Sequence, residues 1–475
     1  MTTRRQFIKD MGLAAAGLSL GSTGSLFAHP LSSKEHQEAR KDKVKIAYIG
    51  IGNRGQQDIE EFAKTGLVDV VALCDVDLDG KQCQKALSMY PKAKRFRNFR
   101  EMFEKYGSQF DAVCAAVPDH MHFPVAMMAL DYGKHIYLEK PMCRTFHEGE
   151  LMIANAKKHP NVVTQVGNQG HSEANYFQFK AWKDAGIIKD VTAVTAHMND
   201  PRRWHHYDPN IITYPPAQPV PQDMDWDTWL GACQYHTFSD KYHQGNWRCW
   251  YDFGMGALGD WGAHILDTIH EFLNLGLPYE VTMKYAKGHN DYFYPFSSTI
   301  LFRFAARDGM PPCDITWYDG IDNLPPLPAN FGSDTKTADI PTTNQGERKP
   351  VKLNPGKIIY SRDLTFKGGS HGSTLSILPS EKAEEVKKHL PEVPKSPSNH
   401  YVNFLRAIQG TEKARSPFEI NGVLSEVFCL GVIAQRLNTQ LFFDSRTKQF
   451  TNNDFANALL VGQPPRKGWE DFYKI

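Results

Sequence analysis

The chain has 475 residues, enough for roughly two or three domains with cores of their own. Hydrophobic residues at 41% and charged residues at 23% describe an ordinary globular protein and exclude a largely disordered or polytopic membrane chain. Lys and Arg number 54 against 53 Asp and Glu, so the net charge of +1 gives no ground for nucleic-acid binding and points to a small or neutral ligand.

Residues 2–9 read Thr-Thr-Arg-Arg-Gln-Phe-Ile-Lys, and a Gly-, Ala- and Ser-rich apolar stretch follows over 11–28 before the chain turns polar at His29. Arg4 and Arg5 with Phe7, Ile8 and Lys9 resemble a twin-arginine export signal. Residues 1–28 are therefore expected to be a signal peptide and the mature protein periplasmic. The apolar run is too short and too glycine-rich to span a bilayer, so no stable membrane anchor is expected. Eight cysteines occur without a C-x-x-C pair, and Cys74 and Cys114 fall in predicted core strands. Buried free thiols are expected.

From Val44 the pattern alternates. Short runs rich in Val, Ile and Ala at 44–49, 68–74, 112–117, 135–138 and 162–166 predict strands. Between them Ile59, Phe62 and Ala63 share one helical face, as do Val125, Met128, Ala129 and Tyr132, with Gly66 and Gly133 as stops. Such alternation predicts an α/β fold with a doubly wound parallel Rossmann sheet over 43–167.

The first strand runs into Gly50-Ile51-Gly52-Asn53-Arg54-Gly55 and then a helix, with Asp75 closing the next strand. A strand before, a helix after and an acidic residue about twenty positions on are the context a dinucleotide turn requires. Gly50 permits the tight turn, Gly52 the approach of a pyrophosphate, and Gly55 the packing of helix on strand. Asp75 would accept hydrogen bonds from the adenosine ribose and repel a 2′-phosphate. NAD is therefore expected ahead of NADP, Arg54 being the residue that argues the other way.

Next come Val117-Pro118-Asp119-His120-Met121-His122, then Gly133-Lys134-His135-Ile136-Tyr137-Leu138-Glu139-Lys140-Pro141, and later Gly254-Met255-Gly256-Ala257-Leu258-Gly259-Asp260-Trp261-Gly262-Ala263-His264. This order resembles the Gfo/Idh/MocA oxidoreductases, the family of glucose–fructose oxidoreductase and inositol dehydrogenase, over nearly all of the chain after residue 43. The resemblance implies a second α/β domain, here 168–475, with a large, open, mostly antiparallel sheet that floors the substrate site and often forms an oligomer interface. A homo-oligomer, dimer or tetramer, is expected. It also implies that Pro118, His122 and Glu139 join the cofactor site, and that Lys140 hydrogen-bonds the reacting hydroxyl.

Asp260, His264 and Asp267 share one face of a helix. Read alone, Asp-x-x-x-His is a capped helix with a satisfied core histidine, or two metal ligands; no second Cys/His cluster completes a metal site, and no metal is expected. The resemblance assigns His264 as general base, Asp260 as its orienter or a substrate partner, and leaves Asp267 structural.

Seven of the nine tryptophans lie between Trp182 and Trp261. Trp226 and Trp229, spaced i, i+3, read as core. Trp247, Arg248 and Trp250 divide evenly between pocket and core on residue type; their position before the catalytic helix assigns them to a sugar pocket, with Gln169 beside them and Asn168 and His171 as lesser candidates. Further strands are predicted at 279–285, 298–304 and 313–318, and helices at 399–409 and 421–437. A long Pro-, Gly- and Asn-rich loop at 319–357 is expected to shield the cleft or an interface.

Together these readings predict an exported NAD-dependent oxidoreductase acting on a secondary alcohol of a sugar, glycoside or cyclitol. The alternative is a redox-neutral NAD-dependent glycoside hydrolase or lyase working through a transient 3-keto sugar. A non-catalytic dinucleotide-dependent binding protein comes third.

Overall fold

The computed structural model describes residues 43–332, apart from Gln244, and 353–475. The predicted export signal and residues 333–352 of the expected loop lie outside the described residues.

The first sheet contains β1 (Val44–Ile49), β2 (Val68–Cys74), β3 (Lys94–Phe96), β4 (Ala112–Ala115), β5 (His135–Leu138) and β6 (Thr164–Val166) in the order β3-β2-β1-β4-β5-β6, every pair parallel. The central strands are nearly continuous apolar runs because helices cover both faces. Strand order reverses between β1 and β4, and ligands of such sheets bind outside the strand ends at that switch point. β3 escaped the sequence reading because only Phe96 of its three residues is buried. β6 begins at Thr164 and not at Val162, whose N–H is taken by a turn to the His159 carbonyl.

The second sheet holds β7 (Val191–Met198), β8 (Glu280–Lys287), β9 (Ser297–Phe304), β10 (Cys313–Asp319), β11 (Gly356–Ser361), β12 (Thr365–Gly369), β13 (Ser376–Leu378), β14 (Gln440–Asp444) and β15 (Gln449–Phe450). Its order is β13-β12-β11-β7-β10-β9-β8-β14-β15, antiparallel throughout except where β7 meets β10. The fold is therefore the expected pair of a Rossmann sheet and an open, mostly antiparallel sheet. The alternate burial along β10 marks a sheet with one packed and one wetter face.

Three helices fix the site. α1 (Arg54–Lys64) follows the glycine turn, α2 (Gly256–Ile265) carries Asp260 and His264, and α3 (Phe418–Leu437) packs against α2, β8 and β9. α3 approaches α2 closely because the contact residues are small: a Cβ on Gly262 would meet the Phe428 ring at 3.0 Å, and one on Gly431 would meet Phe302 at 2.6 Å and Leu258 at 2.7 Å. The segment His400–Ile408 returns to the first sheet, where Tyr401 and Phe404 pack on Phe62 and Tyr137. All eight cysteines are free and buried.

Gly431→Ala sets packing against propensity. Alanine favours the helix by about 1 kcal/mol, but the overpacked contact costs about 1–3 kcal/mol. The variant is expected to unfold at lower urea concentration than the parent; a midpoint at or above it would show that the helix crossing has slack.

Candidate active site

The turn after β1 is shaped for a phosphate-bearing ligand. Gly50 adopts φ +77°, and a Cβ there would lie 2.5 Å from the Ala116 carbonyl oxygen; one on Gly55 would overlap the Gly50 carbonyl. Asn53 precedes α1 without a side-chain cap; the Gly55 N–H is taken by the Gly52 carbonyl at 2.9 Å, leaving the N–H groups of Arg54 and Gln56 for a ligand. Asp75 accepts from the Ile51 N–H at 2.9 Å and the Asp77 N–H at 3.0 Å, and lies in the same cleft as Gly50, Gly52, Asn53 and Arg54. Burial pushes its carboxyl up, against those two N–H donors. These residues fit a dinucleotide.

The Arg54 guanidinium is held by protein partners. Its Nη2 lies 2.8 Å from Asp58 Oδ1 and donates to Tyr401 Oη at 2.9 Å, while Nε donates to Glu139 Oε1 at 3.0 Å. Glu139 also accepts from Gln169, whose amide reaches Tyr137 Oη at 3.0 Å. Arg54, Glu139 and Gln169 thus line the cleft as one network tying the glycine turn to the segment after β5 that carries Lys140. His122 lines it too, but its ring nitrogens face the Pro141 and Val117 carbonyls at 2.6 and 2.9 Å. Burial lowers its pKa to about 4, so the ring is neutral and only one of those contacts is an N–H···O bond. Pro118, at the start of the next helix, forms part of the same wall.

Lys140 Nζ donates to Asp260 Oδ1 at 2.7 Å and to the Asp260 carbonyl at 2.8 Å. Burial alone would raise the Asp260 carboxyl; Lys140, Arg248 and Arg202 outweigh it and hold the group well below the usual carboxylate range. His264 lies one helical turn on, buried, with Nδ1 lacking a hydrogen-bond partner. Burial first, then Lys140 and His371, depress its pKa well below 6.5. His371, in the turn after β12, stacks on His264 with ring centroids 3.9 Å apart and planes 19° from parallel, and Trp261 presents its edge to both.

His371 and Arg202 were missed from sequence, although both line the substrate end of the cleft. His371 sits in Gly368-Gly369-Ser370-His371-Gly372-Ser373 with φ +52°; a lone imidazole in a glycine-rich turn was the available signal.

Of the candidate sugar contacts, Trp247 lines the cleft, with the Arg248 guanidinium 4.2 Å from its ring centroid. Trp250 does not, which corrects its assignment to the pocket. Its Nε1 donates to the Lys241 carbonyl at 2.8 Å, and its ring is enclosed by Tyr207, Tyr242 and Phe293. Trp229, stacked on Trp226, reaches the cleft wall. Asn168 donates to the Ala263 carbonyl at 2.7 Å and steadies α2, and His171 is buried beside Asp267 and Glu271, away from the cleft. Burial raises Asp267 to about 7, with Lys357 opposing.

Residues 44–167 match an oxidoreductase family with an NAD-binding Rossmann fold, named for Gfo, Idh and MocA, and residues 183–310 and 357–471 match the C-terminal α/β domain of that family. A glycosyl hydrolase family 109 protein of Shewanella pealeana is 26% identical over 258 residues, covering 47% of this chain and 55% of that protein. An inositol 2-dehydrogenase/D-chiro-inositol 3-dehydrogenase of Lactiplantibacillus plantarum is 27% identical over 204 residues, covering 42% and 56%. The chain thus spans little more than half the length of these relatives. The WlbA dehydrogenase of Chromobacterium violaceum, solved with NADH and UDP-GlcNAcA, superposes with a TM-score of 0.56 at 14% identity, covering 86% of this chain and 97% of that one, a likeness of fold.

Trp250→Ala should remove about 3–5 kcal/mol of stability, read by chemical denaturation, while the folded fraction keeps its dinucleotide content. Unchanged stability would put the ring back in the pocket.

Proposed function

The chain belongs to the Gfo/Idh/MocA oxidoreductase family, and we propose that it removes hydride from a secondary alcohol of a sugar, glycoside or cyclitol. The observation that carries this reading is that one cleft is lined both by the glycine turn with Asp75 and by Lys140 with His264. A bound nicotinamide supplies the hydride acceptor. Lys140 has three N–H donors and uses two on Asp260; the third serves the substrate oxygen. His264, neutral and lining the cleft beside Lys140, takes the hydroxyl proton as the carbon gives up hydride. Asp260 holds Lys140 in place. The sugar-directed names of the inositol dehydrogenase and WlbA relatives support the substrate class.

NAD is favoured over NADP because Asp75 repels a 2′-phosphate and the Arg54 guanidinium is engaged by Glu139, Asp58 and Tyr401. With export to the periplasm, where no soluble nicotinamide pool replaces what is lost, the cofactor stays bound and is recycled in place by a second, carbonyl substrate.

A redox-neutral hydrolase or lyase is favoured by one specific feature, the second imidazole of His371 stacked on His264. Oxidation at C3 acidifies the C2 proton, a second base takes it, the C1 substituent leaves as its protonated alcohol, water adds at C1 as a proton returns to C2 (the step a lyase omits), and the C3 ketone takes back the hydride it gave up. The glycosyl hydrolase family 109 relatives point the same way.

A glycoside and polyol panel followed by NADH absorbance and by sugar analysis separates the two. NADH or a reduced second substrate marks the dehydrogenase; free sugar without NADH marks the hydrolase. Denatured native protein is expected to release NAD, and active protein that needs added NAD would overturn retention. Lys140→Met and His264→Asn should each lower kcat about 10²–10⁴-fold with dinucleotide content unchanged. Because burial and neighbouring cations depress His264, its proton-accepting form persists on acidification. The acid limb of kcat/KM is therefore expected below pH 6.5, and a limb above it would remove His264 as the base.

A further inference from the structure

The substrate end of the cleft holds more positive charge than its carboxylates offset. Lys140, Arg202 and Arg248 surround the single carboxylate of Asp260, at 2.7, 3.8 and 3.7 Å. Only Lys140 is within hydrogen-bond reach. Each arginine lies against a tryptophan: Arg248 over Trp247 at 4.2 Å, and Arg202 over Trp261 at 5.4 Å. Among the described residues the Arg248 guanidinium makes no hydrogen bond, although it borders the cleft and is only 29% exposed.

The neighbouring groups offset this charge only in part, Asp319 acting on Arg202 and leaving Arg248 the least met. Glu139 is paired with Arg54. His264 and His371 are held neutral by burial and nearby cations. Asp119, behind Arg248, accepts from the Met255 N–H, and burial pushes its carboxyl up to about 7, so it offsets only part of one charge. The whole-chain balance of +1 conceals this local excess.

A partly desolvated guanidinium with unused donors is costly unless an anion meets it. Its planar fork matches a carboxylate, and the ring beneath Arg248 limits the directions in which the fork can turn. We propose that the substrate is an acidic carbohydrate whose carboxylate is bound by Arg248, with Arg202 adding charge, while Lys140 and His264 address the hydroxyl. This rests on the reading of the cleft as a carbohydrate site and adds that the sugar is a sugar acid.

The test uses the full-length holoenzyme and matched pairs of methyl hexosides and methyl hexuronides, identical but for CH₂OH against COO⁻. Binding is read by calorimetry and turnover by NADH and sugar analysis. At least one uronide should bind about tenfold or more tightly than its neutral partner, and less so at high salt. Arg248→Gln should weaken that uronide about 10–100-fold more than its neutral partner, chiefly in KM; Arg248→Lys should recover part of that difference by keeping the charge without the fork. Equal binding of acid and neutral members by the parent protein overturns the proposal without any variant. So does an equal loss for both in Arg248→Gln, or a preference for a hexose sulfate ester over the uronide. Turnover of neutral sugars without uronide preference leaves the oxidoreductase reading standing and removes the sugar acid. Arg248-dependent uronide binding without redox or glycosidic chemistry does the reverse.

Discussion

The ion pair between Lys140 and Asp260 organises the site. Lys140 leaves the end of the first sheet two residues after β5, Asp260 sits on α2, a helix of the second α/β region, and their 2.7 Å contact, doubled by the bond to the Asp260 carbonyl, sets one against the other. A partly buried pair repays its desolvation only when geometry is good and remaining donors and acceptors are met. Here the carboxylate is further held by two guanidiniums at longer range, so its charge is secure while Lys140 keeps a donor for a substrate. Everything else in the cleft is placed relative to that lysine.

Behind it a second network sets the angle of approach. Glu139 takes Arg54 from the helix after the glycine turn and Gln169 from beyond β6, so the phosphate end and the reactive end share one carboxylate. On the other side, α2 is gripped at both ends. Its C-terminal carbonyl at Ile265 accepts from the buried Lys357 ammonium, Asn168 bonds the Ala263 carbonyl, and the glycine contact with α3 fixes its depth. Asp119, which accepts from the Met255 N–H at the head of α2, closes the frame. Such satisfied polar contacts constrain the spacing between a dinucleotide and a general base more tightly than apolar packing alone.

What the sequence made legible was local. The glycine turn, Asp75 and the i, i+4 spacing of Asp260 and His264 are fixed by a few neighbouring residues, and each lies in the cleft where the spacing implied. Contacts made across the fold were not legible. Arg202 enters from the end of β7, an unrecognised strand, and His371 from a turn between two short strands at the sheet edge. Trp247 and Trp250 bracket a short 3₁₀ turn, Asn246–Cys249, too brief for any periodicity to say which ring faces the cleft. For Arg54 the glycine motif fixes the backbone position and not the partners, which come from residues 58, 139 and 401.

The two chemistries open to such a site share their first act, the loss of a proton and a hydride from one carbinol carbon. They part at the next carbon, where elimination needs a second proton acceptor and simple oxidation does not. His371 lies parallel to His264 in van der Waals contact, its Nδ1 beside Ser370 Oγ at 3.0 Å. Two neutral imidazoles at that distance cannot both take up a proton cheaply, because the first imidazolium disfavours the second. A stack of this kind favours a proton that is shared or passed on over one stored twice. In plain oxidation His371 then serves chiefly to hold His264 in its neutral, proton-accepting form, and in elimination it is the second acceptor, taking the C2 proton once His264 has passed the first one on. Elimination draws on that second imidazole, and it alone exchanges the hydrogen on the carbon next to the oxidised one with solvent during turnover.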